Sequence, residues 1–160
     1  MAKTKLNVLV FFLVLLLDQA TKLVACHYLH EGLPIVIIPK FFNVTLGFNT
    51  GAAFGMFSQL PDYWRWLVLI LTILIASSVL FWFIIKKIKS DRIAQVAISG
   101  IVAGAVSNNI IDRFRFDAAI DFLDFYWTRY HWPTFNMADS IIFIGAVVLI
   151  LQFVRAGHVR

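Results

Sequence analysis

The sequence predicts an all-α membrane protein of four transmembrane helices, with a small extracytoplasmic β-rich cradle and an interfacial aromatic segment. Three observations predict it. Of the 160 residues, 61% are hydrophobic and only 14% charged, where an ordinary soluble domain has about 45–50% and about 25%. Long uncharged stretches have the length of a bilayer crossing, about 20 residues. The bases gather in alternate connections between those stretches. A soluble chain this short has no core able to hide so much apolar surface. Composition therefore excludes a soluble globular protein, a disordered chain and a disulfide scaffold. The lone cysteine, Cys26, excludes an internal disulfide and a Cys-cluster metal site.

The first span, about 6–29, is apolar from Leu6 to Leu17 apart from Asn7. It carries Asp18, Thr21 and Lys22 in its outer third. The second, about 64–86, contains the clearest run, twenty uncharged residues from Trp66 to Ile85. The third, about 93–112, contains nineteen uncharged residues from Ile93 to Ile111. The fourth, about 137–155, carries one charge near its start, Asp139. All 160 residues read as one integral membrane domain. Lys3, Lys5, Lys86, Lys87, Lys89, Arg92, Arg155 and Arg160 fall on one side, against one acid, Asp91. The positive-inside rule puts that side, with both termini, in the cytoplasm. The net charge of +5 is thus an orientation signal, and nucleic acid is not an expected partner.

The extracytoplasmic segments are about 30–63 and 113–136. In the first, the runs IVII and FFNVTL and the prolines and glycines around them predict short strands, with an NTG turn at 49–51. The second holds Phe122, Phe125, Tyr126, Trp127, Tyr130 and Trp132, which suit a membrane–water boundary. Leu23-Val24-Ala25-Cys26 imitates a lipoprotein cleavage box. Asp18 and Lys22 interrupt the apolar run before it, so Cys26 is read as a small apolar residue on an uncleaved first helix.

Ionisable residues inside a membrane point to function, because their burial is costly unless compensated. This topology gathers Asp18, Lys22, Asp112, Asp121 and Asp139 near the outer leaflet. Asp18 and Lys22 are spaced i,i+4, which suits an ion pair. Asn109 and Asp112 are i,i+3 and share a helix face, as do Asn136 and Asp139. Two carboxylates that share one proton supply both a base and an acid. His27, His30, His131 and His158 are scattered without metal-ligand spacing, so they do not point to a metal site. Spacing alone leaves a protease, an ion-coupled transporter and a membrane scaffold open.

Five motifs together resemble one family, lipoprotein signal peptidase (signal peptidase II), the aspartyl intramembrane protease of bacteria. They are DQATK at 18–22, NTGAAFG at 49–55, NNIIDR at 108–113, IDF at 120–122 and FNMADS at 135–140. The resemblance covers essentially the whole chain. It implies an endopeptidase that removes the signal peptide of diacylglyceryl-modified prolipoproteins, cleaving just before the lipidated cysteine. Two aspartates and a water do this without metal or cofactor. The implied catalytic pair is Asp121 and Asp139, with Asp112 the rival for the first position. Asp18, Lys22, Asn49, Gly51, Asn109, Asp112, Arg113 and Asn136 are implied to bind substrate or support the site. Asn108 departs from the family, which usually has Gly there. The implied setting is the bacterial cytoplasmic (inner) membrane, with the site near the outer leaflet. The implied partners are the prolipoprotein, membrane lipids and globomycin-type inhibitors, acting on a monomer.

Overall fold

The computed structural model describes residues 2–51, 61, 63–64, 66–68, 70–72, 75, 78 and 91–157. The elements run α1 (Ala2–Tyr28), β1 (Ile35–Ile38), β2 (Phe42–Asn49), α2 (Arg92–Val106), a π-helical turn (Ser107–Asp112), α3 (Arg113–Phe116), β3 (Ala119–Trp127), β4 (Tyr130–His131) and α4 (Met137–Gly157). Thr4–Tyr28, Arg92–Phe116 and Met137–Arg155 are long and apolar enough to cross a membrane. They match the first, third and fourth expected spans. Most of the second, 64–86, lies outside the described residues; those described within it are helical. Four spans are therefore an expectation, of which three are described.

The helices carry their apolar side chains outward. Leu9, Phe12, Leu13 and Leu16 of α1 are exposed, as are Phe143, Ile144, Ile150 and Leu151 of α4. The largest fully buried side chains are all polar: Lys22, Asn136, Asp18, Asp112, Asp121 and Ser107. That inversion suits a lipid-facing exterior around a polar centre.

Small residues let α2 and α4 approach closely. A Cβ at Gly104 would lie 3.0 Å from the Ala138 carbonyl oxygen. One at Gly145 would lie 2.6 Å from Ile101 Cγ1 and 3.2 Å from the Ala97 carbonyl oxygen, so a side chain there requires Ile101 or the helices to shift. Asp91 caps α2, accepting from the backbone N–H groups of Ile93 (2.9 Å) and Ala94 (3.2 Å). α1 packs across α2 and also touches α4.

The four strands form one antiparallel sheet in the order β1-β2-β3-β4. The strands expected from IVII and FFNVTL are β1 and β2. Most of the aromatic segment, to which the sequence assigns no strand, is the hairpin β3–β4. Thr128, at φ 56°, turns that hairpin. Its sequence hides it. β3 is buried on both faces over Ala119–Phe122 and carries two buried acids, Asp121 and Asp124, so it shows no polar–apolar alternation. β3 stands between the membrane helices and β2, and Asp121 pairs with Gly47 across the sheet.

Candidate active site

Asp121 and Asp139 reach the site from different elements, and Asn136 joins them. Asn136 caps the N-terminus of α4. Its Oδ1 accepts from the Asp139 backbone N–H at 3.0 Å, and Asp139 Oδ2 accepts from the Asn136 backbone N–H at 3.2 Å. This is a reciprocal capping box with Asp in the third helical position. The Asn136 amide nitrogen donates to Asp121 Oδ1 at 2.8 Å and to the Ile120 carbonyl at 3.1 Å. One fully buried residue thus ties β3 to the start of α4, and it donates to the Asp121 carboxyl from its side chain and to the Asp139 carboxyl from its backbone N–H.

The second oxygen of Asp121 accepts from the Asn49 amide at 3.0 Å. Asn49 ends β2, and its Oδ1 accepts from the Gly51 backbone N–H at 3.0 Å, folding the expected NTG turn. Arg113 holds that turn from the opposite side. Its guanidinium donates to the carbonyls of Gly51 (2.5 Å) and Thr50 (3.4 Å). Burial pushes the Asp121 carboxyl up to about 7, and the neighbouring Asp139 charge adds to the rise. Hydrogen bonds from Asn49 and Asn136 pull the other way.

A second polar cluster lies beside the first. The Lys22 ammonium is 2.6 Å from Asp18 Oδ2, 2.7 Å from Asp112 Oδ2 and 2.5 Å from Asn108 Oδ1. Three acceptors satisfy its three protons. Asp18 also accepts from the Ser107 hydroxyl (2.6 Å) and from the Ala138 backbone N–H at the start of α4 (2.7 Å). Asp112 also accepts from Gln19 (2.7 Å) and from the Ile120 backbone N–H (3.2 Å). All three charged side chains are at most 1% exposed, so each depends on these partners.

The i,i+4 pairing of Asp18 and Lys22 is as the spacing predicts. Asp112 holds Lys22, and Arg113 holds the 50–51 turn. One expectation is corrected. Asn109 does not share the working face of Asp112. Its amide turns back to the Ala105 carbonyl at 3.1 Å. The cause is the π-turn, whose wider winding brings residues i and i+4 into line. Asn108 takes the inward place and donates to Asp139 Oδ1 at 2.9 Å. Ser107, Asn108 and Gln19 are thus site residues that helical spacing missed. Among the described residues, no three His, Cys, Asp or Glu side chains are grouped to hold a metal ion.

Known proteins share this sequence and fold. A profile of the Signal peptidase (SPase) II family matches residues 10–155. The lipoprotein signal peptidase of Syntrophus aciditrophicus is 45% identical over 145 residues, covering 89% of this chain and 88% of that protein. That of Syntrophotalea carbinolica is 40% identical over 159 residues, covering 98% and 96%. Two solved structures, each described as a bacterial membrane enzyme, are 34% identical to the chain. One superposes with a TM-score of 0.74, covering 93% of this chain and 87% of that one. The other gives 0.70, covering 92% and 91%. With a family profile over most of its length and relatives of this similarity, the chain belongs to the signal peptidase II family.

Proposed function

We propose that this chain is an aspartic endopeptidase that removes the signal peptide from diacylglyceryl-modified prolipoproteins, with Asp121 and Asp139 as its catalytic pair. The observation that carries the pairing is the bridge through Asn136, whose side-chain amide donates to the Asp121 carboxyl while its backbone N–H donates to the Asp139 carboxyl. Family membership supplies the substrate class.

In this reading one carboxylate takes a proton from a water held between the pair. The water attacks the carbonyl of the residue before the lipidated cysteine. The protonated partner polarises that carbonyl and then delivers its proton to the leaving amine. Proton transfer of this kind contributes roughly 10²–10⁴-fold. The rest comes from positioning and from fixed donors around the developing charge. Asn49, Gly51, Arg113 and Asn136 shape the substrate side; Asp18, Lys22 and Asp112 hold the helices that carry it. Asn109 packs beside them as support.

The enzyme sits in the bacterial cytoplasmic membrane with both termini in the cytoplasm. The β-sheet forms a cradle at the outer leaflet, and the substrate lipid lies among the membrane helices. It works as a monomer, is blocked by globomycin-type inhibitors and needs no cofactor. The test is incubation of the purified protein with a lipidated prolipoprotein and with its unlipidated form, followed by mass spectrometry. Cleavage of the lipidated form alone, immediately before the modified cysteine, is expected. Proton-coupled flux in liposomes without cleavage would instead favour a transporter.

A further inference from the structure

The Lys22 cluster and the catalytic pair touch through one side chain, Asn108, from the π-turn. Its Oδ1 accepts from the Lys22 ammonium at 2.5 Å, and its amide nitrogen donates to Asp139 Oδ1 at 2.9 Å. The same nitrogen lies 3.5 Å from Asn136 Oδ1. We infer that Asn108 is a positioning residue which, polarised by Lys22, fixes Asp139 as the ionised, water-activating member of the pair and leaves the shared proton on Asp121. This rests on the dyad reading above and deepens it.

An amide with a cation on its oxygen is a stronger donor from its nitrogen, because hydrogen bonds in series polarise one another. Lys22 has no fourth proton for Asp139, so Asn108 carries the field of the ammonium to it. Asp139 also sits in the first turn of α4, where the helix dipole favours negative charge, and it accepts a backbone N–H. Asp121 lies in a strand and has two neutral side-chain amides as donors. Among the described residues, the charged groups that act on Asp139 are Lys22 and Asp18 from α1 and Asp121 from β3. Lys22 is also matched against Asp18 and Asp112, and the Asn108 amide is the hydrogen-bonded path from that cluster to the Asp139 carboxyl.

Asn108→Asp separates this role from simple support of Lys22. A carboxylate still accepts from Lys22, but it cannot donate to Asp139 and repels its charge. We expect kcat to fall about 10- to 100-fold with KM nearly unchanged. The acid limb of the kcat–pH profile moves to higher pH, since ionising the base becomes harder. If Asn108→Asp does not fold, Asn108→Ala removes the donor without adding charge. It gives about a tenfold loss and the same direction of shift. Wild-type kcat and an unmoved acid limb in either folded variant overturn the inference. Asp139→Asn runs alongside. If it is inactive, an unmoved limb condemns the role of Asn108 alone. If it retains turnover, the dyad reading fails. The inference then falls with it, because Asp139 is no longer the water-activating base.

Discussion

Two carboxylate pairs lie side by side in this protein, and they differ in what stands between their members. Asp18 and Asp112 have the Lys22 ammonium between them, at 2.6 and 2.7 Å. Asp121 and Asp139 have the neutral residue Asn136, which donates its side-chain amide to the first carboxyl and its backbone N–H to the second. A buried ion pair is a rigid tie, because breaking either half strands a charge. A pair bridged by neutral donors keeps its geometry without a cation between its members, so a proton can be shared and moved. Both pairs are aspartates; in the proposed reading the counter-charge separates the anchor from the chemistry.

That contrast is broken most sharply at Asp139. Asp139→Asn keeps the size and can keep the capping geometry, but it loses the base. We expect the folded variant to insert normally and to lose about 10³-fold or more in kcat, measured on lipidated prolipoprotein. The matching change in the anchor is Lys22→Met. It leaves two buried carboxylates without their cation, and about 3–5 kcal/mol of stability goes with it. Thermal unfolding in detergent reports this as a greatly reduced folded yield. Activity per folded molecule measures how far the anchor also serves the chemistry.

Arg113→Lys is a smaller perturbation. Lysine replaces the two-pronged hold on the Thr50 and Gly51 carbonyls with a single point charge. The turn loosens, and Asn49 carries the slack to Asp121. A loss of roughly tenfold in kcat/KM is expected, with Tm changed little. A normal kcat/KM would separate the turn from the site.

The smallest effects are in pH dependence. With the Asp121 carboxyl pushed up to about 7, the protonated partner is lost above that pH, so kcat/KM falls along an alkaline limb near 7. Its ordinary value is 3.8, and the folded state therefore holds a proton that the unfolded chain releases. The stability tied to this group is present in full below about pH 4 and is lost as pH rises through about 7. Wild-type Tm should accordingly fall relative to that of Asp121→Asn between pH 5 and 8.

Much of this was legible in the sequence, for identifiable reasons. Lipid-facing helices show as uninterrupted apolar runs, and Asp18–Lys22 shows as an i,i+4 pair on a regular helix. Motif order pointed to Asp121 and Asp139. The hairpin β3–β4 escaped because its first half is buried on both faces and carries acids, which removes the alternation that marks a strand. The place of Asn108 escaped because spacing arguments assume 3.6 residues per turn. The π-turn over Ser107–Asp112 winds more widely and exchanges the roles of two adjacent asparagines. No residue in SNNIID announces that change.

The most direct test of the separation between anchor and chemistry compares Asp121→Asn with Asp112→Asn on lipidated prolipoprotein, with Tm and turnover per folded molecule measured for both. Asp121→Asn is expected to fold and not to cleave. Asp112→Asn is expected to lose stability yet keep turnover within about tenfold of wild type in its folded fraction. A stable, inactive Asp112→Asn beside a cleaving Asp121→Asn would contradict the account and move the chemistry to the other pair.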